Sequence, residues 1–318
     1  MSELPGRRIT WRHRLEYGLV RAVAAVVAAL PERFAYAVVG GAGRLFFRFA
    51  KGRRKLALRF LRQAYGASVP ERDLMRLAAA ATANFFKVGL DGLRLLPLVE
   101  RGRLAERVEM GDLPQRFPPP PFLVLTAHLG CWEAGAMALA TLGYDVHAVV
   151  KAPRNPLLDR WMVESRRRAG IHIHPRRGGI RRLARALAGR GVAAMVVDQN
   201  QRLRPVIAPF FGAPARCERS AAKLALRRGC PVVVAGVVRV GTGMHFRGIM
   251  VDPIELDRTG DAQHDLVTAT TQINRALEAL IRQAPDQYLW IHDRFRGAPA
   301  AEPRATQAEG TAAVGEVT

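Results

Sequence analysis

Acidic residues are scarce in this sequence: 27 Asp plus Glu stand against 49 Lys plus Arg, a formal net charge of +22 over 318 residues. A field of that sign attracts polyanions, whether nucleic acid, an anionic membrane or an acidic protein. Cysteine is also sparse, and Cys131, Cys217 and Cys230 have no paired or metal-type spacing. That excludes a disulfide framework and points to a reducing compartment. Aromatic residues make up only 7%, and no basic–aromatic RNA-binding signature, zinc motif or helix-turn-helix occurs. Nucleic-acid binding is therefore the weaker reading of the charge. No Gly-x-Ser-x-Gly elbow is found, which argues against a serine hydrolase. No internal repeat is evident.

Long apolar runs are missing too. Leu19–Leu30 is mostly apolar, but Arg21 interrupts it and Pro31 stops it, short of the roughly 20 residues a spanning helix needs. Arg7, Arg8, Arg12 and Arg14 precede it, and no good small-residue cleavage site follows. The pattern suits an uncleaved interfacial helix with its arginines among anionic headgroups; an ordinary core helix is the alternative.

What is present is enough for a sizeable core, since 49% of residues are hydrophobic. Residues 1–100 read as a helical, membrane-apposed region. Arg44 to Arg62 alternates arginines with apolar residues at helical spacing, Leu74–Leu98 is a second helical stretch, and Gly40, Gly41 and Gly43 are expected to break the pattern. Between Arg7 and Arg62 there are 14 Lys/Arg against Glu16 and Glu32, a net +12.

After Pro118–Pro121 the texture changes. Strands are expected at Phe122–Ala127, Val146–Val150, Ile171–His174, Val192–Val197, Pro231–Val240 and Met244–Val251, the last two joined through a Gly-Thr-Gly turn. Helices are expected at Cys131–Leu142, Pro156–Ala169, Ile180–Ala188 and Asp265–Gln283, the last preceding Tyr288–His292. Such alternation predicts an α/β fold with a mostly parallel central sheet flanked by helices over residues 101–296. Residues 297–318 lack periodicity and read as a disordered tail. Functional residues of parallel sheets gather at the C-terminal ends of the strands.

His128 lies just past one such end, and Glu133 lies in the first turn of the next helix, with Gly130 between them. A carboxylate on one imidazole nitrogen fixes the tautomer and makes the other nitrogen a base. Backbone N–H groups at the helix start offer an oxyanion site. A His and a Glu five residues apart also occur together by chance, so spacing alone does not decide.

The segment His128-Leu-Gly-Cys-Trp-Glu133 resembles the H-x-x-x-x-D/E signature of glycerolipid-type acyltransferases, nearest the late acyltransferases of lipid A biosynthesis (lauroyl and myristoyl transferases). Further similarities follow in order: Arg154-Asn155-Pro156-Leu157-Leu158-Asp159, Arg166 through Gly170, Val197-Asp198-Gln199, Phe210-Phe211-Gly212, and Pro285 through Phe295. They cover roughly residues 10 to 297. Arg59-Phe60 departs from the family, which often has Asn in this basic helix; the departure is expected to touch only a peripheral helix.

The resemblance implies an acyltransferase without cofactor. His128 would be the general base and Glu133 its orienting partner. Arg166 would make a charged contact near the reacting groups, or lie on a solvated face with Arg167 and Arg168. Asp198 would hold His128 or an arginine, with Gln199 beside it, and Arg154 and Asn155 would bind phosphate or sugar. The donor would be an acyl carrier protein or acyl-CoA thioester, and the acceptor a lipid A precursor or related phosphorylated glycolipid. Another lipid acceptor, such as a lysophospholipid, an amino-acid lipid or a mannosylated inositol lipid, is the alternative. The place of action would be the cytoplasmic face of the bacterial inner membrane. The 11 Lys/Arg from Lys151 to Arg185, against Asp159 and Glu164, suit such anionic partners. Cys131 reads as packing. His172 and His174 alternate on one strand with no ligand partners in sequence, so no metal site is expected.

Overall fold

The computed structural model describes residues 8–66 and 68–299; Arg7 and most of the expected tail lie outside them. Four helices come first: α1 (Trp11–Ala29), α2 (Glu32–Phe49), α3 (Lys51–Tyr65) and α4 (Glu71–Glu100). The rest of the chain runs β1 (Val108–Glu109), α5 (Leu113–Arg116), β2 (Phe122–Thr126), α6 (Trp132–Thr141), β3 (Val146–Val150), α7 (Pro156–Arg168), β4 (Ile171–Pro175) and α8 (Arg176–Ala188). It continues through β5 (Val192–Val196), β6 (Val206–Phe210), β7 (Ala213–Cys217), α9 (Ser220–Arg228), β8 (Val232–Arg239), β9 (Phe246–Met250) and α10 (Ala262–Arg282).

Seven strands form the central sheet in the order β1-β9-β8-β2-β5-β3-β4. β8, β2, β5, β3 and β4 are parallel; β9 runs antiparallel to β8, and β1 runs alongside β9. Because successive side chains leave a strand on opposite faces, β2 feeds two cores. Leu123 and Leu125 join Phe60, Leu61, Leu74 and the inner face of α10, while Phe122 and Val124 join Met137 and Leu139 of α6. The α/β expectation holds, with helices on both faces. The hairpin β6–β7, helix α9 and the short β1 are absent from the sequence reading. Their residues lack an obvious period: Pro209 and Pro214 interrupt the hairpin.

Two expectations in the helical region need correction. Gly40, Gly41 and Gly43 do not break a helix but lie within α2. A Cβ at Gly43 would stand 2.8 Å from Ala83 Cα, and one at Gly40 2.8 Å from Lys87 Cε. The missing side chains let α2 press against α4, a packing benefit that outweighs the weak helix propensity of glycine. The break falls instead at Ala50, dividing the stretch Arg44 to Arg62 between α2 and α3.

Nor is α3 peripheral. Phe60 is buried, with ring centroids 4.9 Å from both Trp290 and Phe295 and about as near to Phe210 and Phe211 as aromatic pairs pack. Phe60 thus centres the cluster that unites Phe210-Phe211 with the C-terminal segment.

Helix α1 buries no side chain completely, and Trp11, Leu15, Leu19, Val23 and Val26 are exposed. It is held by polar clamps. Asn155 donates to His13 O and Glu16 Oε2, and the Arg94 guanidinium donates to the carbonyls of Val27, Ala28 and Leu30, which α1 leaves unpaired at its C-terminus. On α2, Phe34, Leu45 and Phe49 are exposed as well. No helix among the described residues is long and apolar enough to cross a membrane.

Candidate active site

β2 and β5 are neighbours in register, Thr126 opposite Val196. Two residues beyond each of these lie His128 and Asp198, so parallel pairing delivers them side by side at the C-terminal edge. Asp198 Oδ1 is 2.7 Å from His128 Nδ1, and its Oδ2 accepts the His128 backbone N–H at 3.1 Å. Both carboxylate oxygens thus face fixed donors. With Nδ1–H donating to Asp198, Nε2 carries the lone pair, and Gln199 Nε2 at 3.1 Å donates to it.

Burial pushes the His128 pKa down, but the charge and hydrogen bond of Asp198, aided by the Glu133 charge, leave it above the usual histidine value. Burial raises the Asp198 carboxyl in turn. Its ion pair with His128 and the nearby Arg294 charge overcome that and hold it below the usual carboxylate range. Arg294 is itself buried and donates to the carbonyls of Gln199 and Arg216. His292, kept toward its neutral form mainly by burial, accepts the Asn200 N–H. The C-terminal segment therefore braces the Asp198 loop from below.

The same segment holds the His128 loop. Leu289 N–H donates to His128 O, and Gly130 N–H donates to Gln287 O. Gly130 has φ +57°, and a Cβ there would sit 2.1 Å from Val237 O; only glycine allows this approach of the loop to β8. Gly130 O accepts from Asn84, whose Oδ1 accepts from Arg239 Nε. The Arg239 guanidinium also pairs with Asp91, to which Tyr36 O–H donates at 2.6 Å. Asp91, Arg239 and Asn84 are all buried. They escaped the sequence reading because their pairing joins α4 to β8 across the molecule; a polar or charged residue in a helix or strand interior was the signal available. Cys131 is fully buried and burial pushes its thiol well above the usual value, in keeping with a packing role.

Glu133 does not contact the imidazole as expected. The fork of Arg166 takes both its oxygens, Nε to Oε2 at 3.0 Å and Nη2 to Oε1 at 2.6 Å. The positive-φ turn at Gly130 swings α6 so that its first turn faces α7, and the carboxylate aligned with Nδ1 comes from the neighbouring strand end instead. Glu133 acts on His128 through its field. The amides of Gly130 and Cys131, just before α6, are taken by Gln287 O and Val237 O. Asn155 is buried as the N-cap of α7, accepting from Leu157 N–H and clamping α1; it does not face the site. Arg154 is exposed on the loop before α7.

His128, Trp132, Glu133, Arg166 and Gln199 line a cavity of about 1030 Å³. It lies between α6 and the sheet, since Val124, Ala148, Ile173, Ala194 and Ala235 line it from alternate positions of five strands. Near the strand ends the lining is polar and mostly basic, with Lys151, Arg176 and Arg202. Farther along the sheet it is apolar, with Leu139, Ile171 and Phe117. A base at the junction of a charged mouth and a greasy interior can accept a proton from a polar headgroup while an alkyl chain lies beside it.

Residues 5–297 match the family described as bacterial lipid A biosynthesis acyltransferase. The chain belongs to that family. This acyltransferase is also 24% identical over 292 residues to the lipid A biosynthesis lauroyltransferase of Escherichia coli (strain K12), an alignment covering 87% of this chain and 90% of the relative. The match runs from before α1 to the end of the C-terminal segment, so it is not confined to the His128 motif.

Proposed function

We propose that this protein transfers a fatty acyl group from a thioester to a hydroxyl of a lipid A precursor or related phosphorylated glycolipid, with His128 as general base. The observation that carries the reading is the placement of His128 Nε2 between the basic mouth and the apolar interior of the 1030 Å³ cavity. In the reaction, the acceptor hydroxyl displaces Gln199 from Nε2 and loses its proton to that nitrogen as its oxygen attacks the thioester carbonyl. Asp198 stabilises the resulting imidazolium. The tetrahedral intermediate then collapses, the C–S bond breaks, and the imidazolium returns the proton to the departing thiolate. No covalent enzyme intermediate is required. The Glu133–Arg166 pair borders the mouth and keeps the helix start electrostatically balanced beside the headgroup.

An acyl carrier protein is the favoured donor, with acyl-CoA as the second choice, because the basic surface from Lys151 to Arg185 complements an acidic carrier. Exposed apolar residues on α1 and α2, set beside Arg8, Arg12, Arg14 and Arg21, support docking at the anionic cytoplasmic face of the bacterial inner membrane. The test is transfer by the purified protein, with acyl carrier protein and CoA thioesters compared against a lipid A precursor and a lysophospholipid, the products weighed by mass spectrometry. One acyl chain added to the lipid A precursor supports the reading. Acylation confined to the lysophospholipid overturns the acceptor assignment.

A further inference from the structure

On the sheet face opposite the cavity, at the outer strands β3 and β4, three imidazoles and a carboxylate come together. Parallel pairing sets His147 opposite His172 and Val149 opposite His174. The His147 ring lies stacked between the two, at centroid distances of 4.6 Å to His172 and 5.3 Å to His174. Asp145, at the turn into β3, reaches both partners: Oδ2 is 2.9 Å from His147 Nε2 and Oδ1 is 3.2 Å from His172 Nε2. One ligand atom from each of Asp145, His147 and His172 lies within 4.8 Å of the others.

We propose that Asp145, His147 and His172 bind a divalent transition-metal ion of the zinc class, with His174 as the outer partner that sets the tautomer. Tetrahedral zinc with bonds of about 2.1 Å places its ligands about 3.4 Å apart, so small side-chain rotations bring these three atoms onto one ion. Two imidazoles and one carboxylate suit Zn²⁺, Co²⁺ or Ni²⁺ and do not suit Mg²⁺ or Ca²⁺. His147 Nδ1 lies 3.0 Å from His174 Nε2. A proton on Nδ1, accepted by His174, leaves the His147 Nε2 lone pair for the ion, the outer hydrogen bond usual for histidine ligands. Gly191 leaves the space open, since a Cβ there would come within 3.2 Å of Asp145 Oδ2 and His147 Cδ2. His172 and Asp145 are more than half exposed, which gives an ion an entry path and a fourth, solvent-filled position. A bound ion would clasp the edge strand β4 to β3.

The full-length chain, stripped with a chelator, is titrated with Co²⁺ and then Zn²⁺ by calorimetry and visible absorption. One ion per chain is expected, with a four-coordinate Co²⁺ spectrum that Zn²⁺ abolishes. Asp145→Asn and His172→Gln should each weaken binding at least about tenfold, and His174→Ala by about 10–100-fold. His172 is exposed, so His172→Gln should fold, as circular dichroism would check. Absence of stoichiometric binding overturns the proposal. So does binding unchanged in His172→Gln and Asp145→Asn but lost in His128→Ala, which would place the ion at the other imidazole.

Discussion

His128 Nδ1 and Asp198 Oδ1 meet at 2.7 Å from the ends of adjacent parallel strands, though 70 residues separate them in sequence. The other Asp198 oxygen accepts a backbone N–H, which permits a sharp expectation for Asp198→Asn. A backbone N–H is always a donor, so the Asn amide must turn its oxygen there and its NH₂ toward Nδ1. The imidazole proton then moves to Nε2 and the base is lost. Turnover should fall by about 10²–10⁴, close to the effect of losing the imidazole itself. Steady-state rates of the two variants against wild type check this, and a near-normal Asp198→Asn enzyme would refute the assignment.

His128→Ala should remove turnover by a similar factor while leaving the fold intact. The side chain is partly exposed at the cavity, and its backbone bonds to Asp198 and Leu289 do not need the ring. Thermal unfolding and product formation, measured on the same preparation, separate loss of chemistry from loss of structure.

The pH profile carries a sign. A general base works unprotonated, so kcat/KM should rise with pH through the His128 pKa, which lies above the usual histidine value. Asp198→Ala removes the principal charge that raises it, so the acidic limb of the residual activity should move to lower pH. A limb that stays in place would mean that another group controls it.

Glu133 and Arg166 should behave as one unit. Each is about one-sixth exposed, so removing either leaves a partly buried charge without its partner. Glu133→Gln and Arg166→Gln should each lower activity and stability, and the double variant should do less than the sum of the two. A double-mutant cycle read by kcat/KM and by denaturation measures the coupling. Strict additivity would show that the pair is incidental.

Gly130→Ala should be among the most damaging single-methyl changes. A left-handed backbone costs a residue with Cβ about 1–2 kcal/mol, and the overlap with Val237 O adds to it. Activity should be lost together with several degrees of thermal stability, as a melting curve and an assay would show.

Much of this arrangement is legible in the sequence because it depends on short-range pattern. The strand–Gly–helix junction at His128, and the alternation that makes a parallel sheet, are both local features. Which carboxylate meets the imidazole is not local. It follows from β5 lying next to β2, an order set by crossover packing that the alternation does not encode. The glycines of α2 mislead for the same reason. Their effect on the helix is local and unfavourable, whereas their benefit comes from α4, about 40 residues away. Asp91 and Arg239 are visible as charges in apolar stretches, but their pairing across the molecule is not. The imidazole stack likewise needs the β3–β4 register before His147 and His172 become neighbours.

The loops on which His128 and Asp198 sit are bonded from beneath by residues 287–294, which leave the ribosome well after β2 and β5. During synthesis, β2 and β5 can pair long before that segment exists, but the His128 loop then lacks the Gln287 and Leu289 bonds and Asp198 lacks the Arg294 charge. A nascent chain can therefore possess nearly all of its sheet while the His128 imidazole remains loosely placed. Assembly of the site waits for residues 287–294.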